Sequence, residues 1–368
     1  MKLLVATGLY PPDIGGPATH TVFLEKHREA LGLDLVVLPF AVVRQYPPVI
    51  RHILYVARIV RSIRGCDALY ALDTVSVGVP AMIASILTRT RLILRVPGDY
   101  AWEQGQQRYG ITETLDEFRA HTKHPFRVRI MSFLQRMVAK RATHVIVPSN
   151  YMKEVVSGWG VPKEKITRVY SVLKEISVHS AVIEPSRSPF VITSAARLVP
   201  WKGMQVLIDA VVSLHREGLP VFLNIIGDGV CRADLEAHVK TSDATEYIRF
   251  HGALSREVLG EKIRASHAFV LNTSYEGFSH QLLEVMSLGV PVITTPVGGN
   301  TELITDGETG LFVPYNDANA LRDALRKLFI DSTLRETLAM RAKASLIAFK
   351  EERIVSEFRT VFQSIWNS

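Results

Sequence analysis

The segment from Ala268 to Thr294 reads AFVLNTSYEGFSHQLLEVMSLGVPVIT. An apolar run, Ala268–Asn272, leads through a polar loop into the helix-like segment His280–Leu288, and a second apolar run follows at Val290–Thr294. Two short apolar runs around one helix are typical of parallel strands that are covered on both faces of a sheet. The segment therefore predicts an α/β fold.

The same alternation extends along the whole chain of 368 residues. Continuous apolar strands that alternate with helices predict doubly wound parallel sheets, and the length leaves room for two domains. We therefore expect two Rossmann-like domains that face a central cleft. The other predicted strands are Leu3–Ala6, Leu35–Phe40, Ala68–Leu72, Leu92–Val96, His144–Pro148, Phe190–Ala195, Phe222–Ile226 and Ile248–His251.

The expected N-terminal domain covers residues 1–175, and the expected C-terminal domain covers residues 186–350. The segment Ile183–Pro189 contains two prolines and two serines, which is typical of a linker. Residues 351–368 are predicted to form one more helix.

Composition excludes several classes of protein. Hydrophobic residues make up 47% of the chain and charged residues 21%, as in a folded globular protein rather than a disordered one. Cys66 and Cys231 are too few for a disulfide framework or a zinc knuckle. No apolar run is long enough to span a membrane, and the apolar start lacks a cleavage pattern, so we predict a cytoplasmic protein.

Positive charge is concentrated in the first half of the chain. Residues 1–184 contain 24 Lys and Arg against 15 Asp and Glu (net +9), and residues 185–368 contain 19 against 21 (net −2). Two helix-like segments of the first half, Val49–Ile63 and Phe126–Lys140, combine cations with apolar residues at helical spacing. This pattern indicates an anionic partner, such as a membrane surface at which the protein is peripheral, or a solvated face with no partner. Without a helix-turn-helix, RNP or zinc-finger motif, we expect no nucleic acid partner.

Two loops that follow predicted strands are suited to phosphate groups. Gly15 and Gly16 precede a helix, where backbone N–H groups can approach an anion closely, although a tight turn without a ligand has the same pattern. Arg197 and Lys202 follow the first strand of the second half, and two cations at this spacing can hold a diphosphate from two sides. The alternative is a surface loop with two solvated cations.

The segment from Ala268 to Thr294 contains two carboxylates. Glu276 lies on the loop and Glu284 inside the helix, and the N–H groups of Gly277–Ser279 lie near the helix start. A carboxylate can accept hydrogen bonds from two neighbouring hydroxyls at once, such as those of a ribose. The alternative is an acidic N-cap followed by an ordinary helical glutamate.

The seven residues between Glu276 and Glu284 resemble the E-x7-E motif of the family 4 retaining glycosyltransferases of GT-B fold. The spacing of Gly289–Val292, Val297–Gly299 and Gly310–Leu311 is also similar to that family. The resemblance covers nearly the whole chain and is most specific over residues 190–315. It implies a GT-B fold whose C-terminal helix crosses back to the N-terminal, acceptor-binding domain.

The resemblance implies a retaining enzyme that moves a sugar from a UDP-, GDP- or ADP-sugar to a sugar or lipid-linked acceptor, in envelope polysaccharide synthesis for example. Arg197 and Lys202 would neutralise the diphosphate, Glu284 would hold the ribose, and Glu276 would hold the sugar. The base would lie near residues 252–254. The donor-binding residues so implied are Gly15, Gly16, Arg197, Lys202, Gly252, Ala253, Leu254, Gly277, Phe278, Ser279 and Glu284.

The sequence departs from the family at one position. Members of the family often have a histidine after the fourth strand, and this chain has no histidine there. Asp99 is the nearest group that could replace it, so Asp99 joins Glu276, Lys202 and Arg197 as a candidate catalytic residue; the alternative is a cap of the following turn. The family is similar to metal-independent enzymes, and with no Asp-x-Asp in the chain we expect no metal or other cofactor. A nucleotide-sugar 2-epimerase and a non-catalytic nucleotide-sugar-binding protein remain alternatives.

Overall fold

The computed structural model describes residues 1–13, 15–121, 123–173, 176 and 188–367. The chain divides into two compact units, one made of Met1–Ser171 with Glu351–Ser368 and the other of Val172–Lys350. Most of the predicted linker, residues 183–187, lies outside the described residues. Each unit contains one parallel sheet with helices on both faces, so the predicted pair of doubly wound domains is confirmed.

The described part of the first unit has a six-stranded sheet in the order β2-β1-β3-β4-β5-β6, and every pair is parallel. The last strand was not predicted, because three residues at a sheet edge carry no clear pattern. The strands are β1 Lys2–Thr7, β2 Asp34–Pro39, β3 Ala68–Ala71, β4 Arg91–Arg95, β5 His144–Val147 and β6 Ile166–Arg168.

The central strands in the sheet of the first unit have side chains that are almost fully buried. The side chains of Leu3, Leu4, Leu69 and Leu92 are at most 1% exposed, which explains why these strands read as continuous apolar runs. The α-helices between Met1 and Ser171 are α1 Gly16–Lys26, α2 Arg28–Leu31, α3 Pro48–Ser62, α4 Gly78–Thr88, α5 Tyr100–Arg108, α6 Leu115–Ala120, α7 Phe126–Arg141 and α8 Asn150–Gly158.

The second unit has a six-stranded parallel sheet among its described residues, in the order β12-β11-β10-β7-β8-β9. The strands are β7 Phe190–Ala195, β8 Val221–Ile226, β9 Ile248–Phe250, β10 Ala268–Leu271, β11 Val292–Thr294 and β12 Leu311–Phe312. The helices are α9 Met204–Arg216, α10 Arg232–Thr241, α11 Arg256–Arg264, α12 His280–Ser287, α13 Ala318–Ile330 and α14 Ser332–Ser345.

Strand order in the second sheet determines where a ligand can enter. The chain proceeds outward from β7 in one direction through β8 and β9, then returns to place β10 on the other side of β7. In doubly wound sheets this reversal opens a crevice at the carboxyl ends of the two central strands. The loops after β7 and β10 therefore flank the expected site.

The last helix, α15 (Glu351–Asn367), belongs to the first unit, as the expected return of the C-terminal helix requires. Glu351 pairs with Lys26 at 2.8 Å and with His27 at 2.7 Å. Further along, the ring of Phe358 packs against Phe23 with centroids 5.6 Å apart. The two contacts of Glu351 and the Phe23–Phe358 ring contact thus hold α15 against the C-terminal half of α1.

None of the helices in the described ranges combines the length and apolar composition needed to cross a membrane.

Candidate functional site

Three loops at the carboxyl edge of the second sheet are joined by backbone hydrogen bonds. Ala196 N–H donates to Ile226 O (3.0 Å), and Gly227 N–H donates to Gly252 O (2.8 Å). Gly227 has a φ of +126°, and a Cβ there would lie 2.0 Å from the Ala196 carbonyl oxygen. Only glycine permits this approach. The Gly-Asp-Gly turn after β8 (residues 227–229) therefore supports the loop that carries Arg197.

The two predicted cations occupy different surroundings on the loop after β7. The Arg197 side chain is exposed, and its guanidinium carbon lies 5.7 Å from the ring centroid of the buried Trp201. Lys202 is only 11% exposed and forms an ion pair with Glu276, which is 16% exposed. The structure thus brings together two residues that the sequence predicts separately, the lysine expected to contact phosphate and the glutamate expected to contact the sugar.

The loop after β10 is held in place by short polar contacts. The Ser274 N–H donates to Trp201 O (2.9 Å), and the Gly299 N–H donates to Glu276 O (2.9 Å). A Cβ at Gly299 would lie 2.6 Å from the Gly277 carbonyl oxygen, so this position also requires glycine. The Glu276 backbone is therefore fixed from two sides before any ligand binds.

Ser279, and not Glu276, is the N-cap of α12. Its side chain accepts a hydrogen bond from the Leu282 N–H over 3.3 Å. The acidic N-cap that the sequence left open as an alternative is therefore not formed. Glu276 instead pairs with Lys202, on the loop that precedes α12.

Glu284 contacts an arginine that belongs to none of the predicted motifs. The Arg256 Nε donates to Glu284 Oε1 over 3.1 Å, and its Nη2 lies 2.9 Å from the same oxygen. Arg256 is the first residue of α11, directly after the Ser255 N-cap and close in sequence to the predicted base-binding residues 252–254. The carboxylate predicted to hold a ribose is thus ion-paired and only 18% exposed.

The predicted base-binding loop follows β9. Gly252 has a φ of +68° and accepts the Gly227 hydrogen bond, while Ala253 is exposed and Leu254 is half-buried. The adjacent His251 Nε2 lies 2.6 Å from Asn224 Oδ1, and burial lowers the pKa of this histidine. Its neutral form therefore prevails near pH 7 and leaves the predicted base-binding loop without a histidine charge.

The remaining predicted residues lie in the first unit. Gly15 has a φ of +154°, and a Cβ there would lie 2.7 Å from Leu9 Cδ1. Gly16 is exposed and begins α1, and a Cβ at this position would meet no atom within 4 Å. The space above the helix start is therefore open, as the predicted anion contact requires.

Asp99 is the N-cap of α5. Its Oδ1 accepts hydrogen bonds from the Trp102 N–H (3.0 Å) and from Gln135 Nε2 (2.9 Å), and the residue is 1% exposed. Burial raises the pKa of Asp99, and the bonds from Trp102 and Gln135 oppose this rise. The capping alternative is therefore realised, and a role of Asp99 toward a sugar stays a prediction.

The sequence matches two family descriptions, one for each unit. Residues 4–171 match the glycosyl transferase 4-like domain, and residues 178–345 match the glycosyl transferases group 1. The two matches are consecutive and together cover most of the chain. The chain belongs to the glycosyltransferases of GT-B fold and family 4 type. The predicted resemblance is thus confirmed.

Curated relatives of this glycosyltransferase cover only part of it. Alpha-D-kanosaminyltransferase from Streptomyces kanamyceticus is 31% identical over 152 residues, which are 41% of this chain and 39% of the relative. The lipopolysaccharide core biosynthesis glycosyltransferase LpsE from Rhizobium meliloti is 28% identical over 208 residues, 56% of this chain and 59% of the relative. The chain therefore spans about half the length of the curated relatives it matches.

Solved structures of other proteins share the fold of this glycosyltransferase. Anabaena Alr3699/HepE in complex with UDP and glucose superposes with a TM-score of 0.76, covering 99% of this chain and all of the other, at 19% identity. At this identity the likeness establishes the GT-B fold.

Proposed function

We propose that this glycosyltransferase transfers a sugar from a nucleotide-sugar to an acceptor hydroxyl, with retention of anomeric configuration and without a metal ion. The observation that carries the proposal is the Lys202–Glu276 pair, which joins the loops after β7 and β10 at the carboxyl edge of the second sheet. Arg197 lies on the same loop as Lys202. A cation for the diphosphate and a carboxylate for the sugar hydroxyls are adjacent, as a bound nucleotide-sugar would need them.

Departure of the nucleoside diphosphate is the step that these cations would assist. Negative charge grows on the diphosphate oxygens as the bond to the sugar breaks, and fixed positive groups stabilise that charge as it forms. Arg197 and Lys202 would supply two positive charges, the role a divalent cation has in other transferases. Within the described residues no three His, Cys, Asp or Glu side chains are grouped to hold a metal.

Retention requires the acceptor to attack from the face that the diphosphate leaves. Glu276 would hold the donor sugar by its hydroxyls, and Glu284, oriented by Arg256, would hold the ribose. The Anabaena protein of the same fold binds UDP and glucose, which supports a nucleotide-sugar donor for this chain.

We propose further that the acceptor is a sugar, either lipid-linked or part of a growing polysaccharide, and that it meets the basic first unit. The relative LpsE acts in lipopolysaccharide core biosynthesis, which agrees with this class of acceptor. The proposed location is the cytoplasm, at the inner face of the cell membrane.

The experiment that tests the donor is a thermal-shift panel of UDP-, GDP- and ADP-sugars, first with a chelator and then with a divalent metal. Saturation at 100 times the dissociation constant adds about 2.7 kcal/mol to the free energy of unfolding, which raises the melting temperature by several degrees. A shift with one nucleotide in chelator supports the proposal and names the base. No shift with any nucleotide contradicts it.

Incubation of the shifting donor with acceptor sugars separates the alternatives. Transfer with an α-linked product from an α-linked donor supports the retaining transferase. Interconversion of the donor sugar would indicate a 2-epimerase, and binding without transfer, hydrolysis or interconversion would indicate a non-catalytic nucleotide-sugar-binding protein.

A further inference from the structure

Three neighbouring helices of the first unit carry no acidic residue along their described lengths. Helix α4 packs against both α3 and α7, so the three are continuous over the sheet. Together they contain eight Arg and Lys and no Asp or Glu. We call this the α3–α4–α7 face; its cations are the exposed Arg58, Arg61, Arg127, Arg129, Arg136, Lys140 and Arg141, together with the half-buried Arg51.

The same face exposes large apolar side chains. Of the eighteen large hydrophobic residues that are exposed in the described ranges, nine lie on these three helices. Phe126 is 74% exposed, Phe133 65% and Ile53 64%, values far from those of core residues. The nine are Val49, Ile50, Ile53, Ile83, Ile86, Leu87, Phe126, Ile130 and Phe133.

Apolar and cationic residues share the outward side of each basic helix. In α7 the exposed Phe126, Ile130 and Phe133 occupy the first two turns, and the exposed Lys140 and Arg141 occupy the last turn. Residues three and four apart lie on one side of a helix, so each apolar group forms a stripe and not scattered points.

The composition of the face distinguishes between partners. A second copy would place eight cations against eight, which repel one another. A nucleic acid would meet the cations but would leave the aliphatic stripes in water. An anionic bilayer offers phosphate groups to the cations and acyl chains to the apolar side chains at the same depth.

We propose that the α3–α4–α7 face docks this glycosyltransferase on an anionic lipid bilayer. The apolar stripes enter the boundary between headgroups and acyl chains, and the arginines contact lipid phosphates. This inference names the partner of the basic unit in the proposed function. Vesicle binding needs no donor nucleotide, so failure of one proposal leaves the other standing.

The test is co-sedimentation of the full chain with vesicles of phosphatidylcholine alone and of phosphatidylcholine mixed with phosphatidylglycerol. We expect binding to the mixed vesicles that weakens as salt is raised, and little binding to phosphatidylcholine alone. No binding to either vesicle overturns the proposal, as does equal binding to both.

Two double variants test the face itself. Phe126→Ser with Phe133→Ser is expected to lower the partition coefficient roughly tenfold or more, because two exposed aromatic rings no longer enter the bilayer. Its matched control is Ile330→Ser with Met340→Ser, which removes side chains that are 74% and 67% exposed on the second unit. Equal loss in both variants, or loss in neither, contradicts the assignment.

The charge variant is Arg127→Glu with Arg129→Glu, and its control is Arg341→Glu with Lys343→Glu on α14. Loss of binding to mixed vesicles in the first alone is the expected result. Melting temperature and the donor-induced thermal shift report on folding, and both should stay at wild-type values in all four variants. If the serine variant instead abolishes a concentration-dependent dimer and leaves vesicle binding intact, the face is an interface between copies and the proposal is wrong.

Discussion

Arg256 and Glu284 form an ion pair in which both Nε and Nη2 of the arginine approach the same carboxylate oxygen, at 3.1 and 2.9 Å. The contact joins the first residue of α11 to the interior of α12, across 28 positions of sequence. Two charged donors that converge on one oxygen hold the Glu284 carboxylate beside the start of α11. The side chain predicted to hold a ribose is thus oriented by a neighbour.

If Arg256 positions Glu284, Arg256→Ala should weaken binding of a nucleoside diphosphate by roughly tenfold, because a partly buried, charged contact to the carboxylate is lost. The same variant should bind the 2′,3′-dideoxy nucleotide as wild type does, since that ligand has no diol for Glu284. Isothermal titration measures both affinities. Arg216→Ala, an exposed arginine at the end of α9, is the control; equal weakening for both ligands would assign Arg256 to another role.

Lys202→Ala and Glu276→Gln should each reduce kcat by about a hundredfold or more, since each removes a preorganised electrostatic contact. The two side chains are paired, so the double variant should lose less than the product of the single losses. Steady-state kinetics with the donor from the thermal-shift panel provides the measurement. Lys240→Ala, an exposed lysine of α10, should keep the wild-type rate; a wild-type rate in Lys202→Ala would refute the phosphate contact.

Asp99→Ala should lower the free energy of unfolding by about 1–3 kcal/mol, because the α5 cap and a buried acceptor for Gln135 are both removed. Asp99→Asn keeps an acceptor oxygen and should cost less. Urea titration measures both. The turnover of the Asp99→Asn variant tests the predicted catalytic role of Asp99. Near-normal turnover would show that Asp99 does not replace the family histidine.

Gly16→Ala should leave the melting temperature unchanged and weaken the donor-induced thermal shift, because the added methyl meets open space in the protein but would meet a bound diphosphate. Gly299→Ala should behave differently. Its methyl would press on the Gly277 carbonyl, so this variant should lose stability itself. An undiminished donor shift in Gly16→Ala would remove Gly16 from the predicted site.

The anchor of α15 should depend on pH. Burial raises the pKa of Glu351, but hydrogen bonds from Lys26 and His27 outweigh it and hold the pKa below the usual 4.5. The pair therefore stabilises the fold above pH 4.5, and this contribution is lost as pH falls through the lower, folded-state pKa. Glu351→Gln should lose less than about 1 kcal/mol at pH 7, because the carboxylate is 34% exposed. Urea titrations of the two proteins should converge as the pH falls below 4.5 and through the lower folded-state pKa; a constant difference at all pH values would contradict the ionic account.

The candidate site was predictable where its residues sit in short patterns beside predicted strands. The loops directly after two predicted strands contain Arg197, Lys202 and Glu276, so the local sequence pattern was sufficient to predict these residues. Arg256 was missed because its contact is formed by two helices that meet only in the folded unit. The role of Gly227 could not be predicted, because a Gly-Asp-Gly turn has the same sequence pattern whether or not a carbonyl such as that of Ala196 lies against it.

The sequence by itself determined the alternation of buried strands and helices, the two doubly wound units and the loops that carry charge, because apolar period and strand-to-helix order are local properties. Tertiary structure alone decided that Ser279 rather than Glu276 caps α12, that Asp99 caps α5, and that Lys202 meets Glu276. The physical reason is that a side chain's hydrogen-bond partner depends on which distant segments fold beside it, and one local pattern is compatible with several partners.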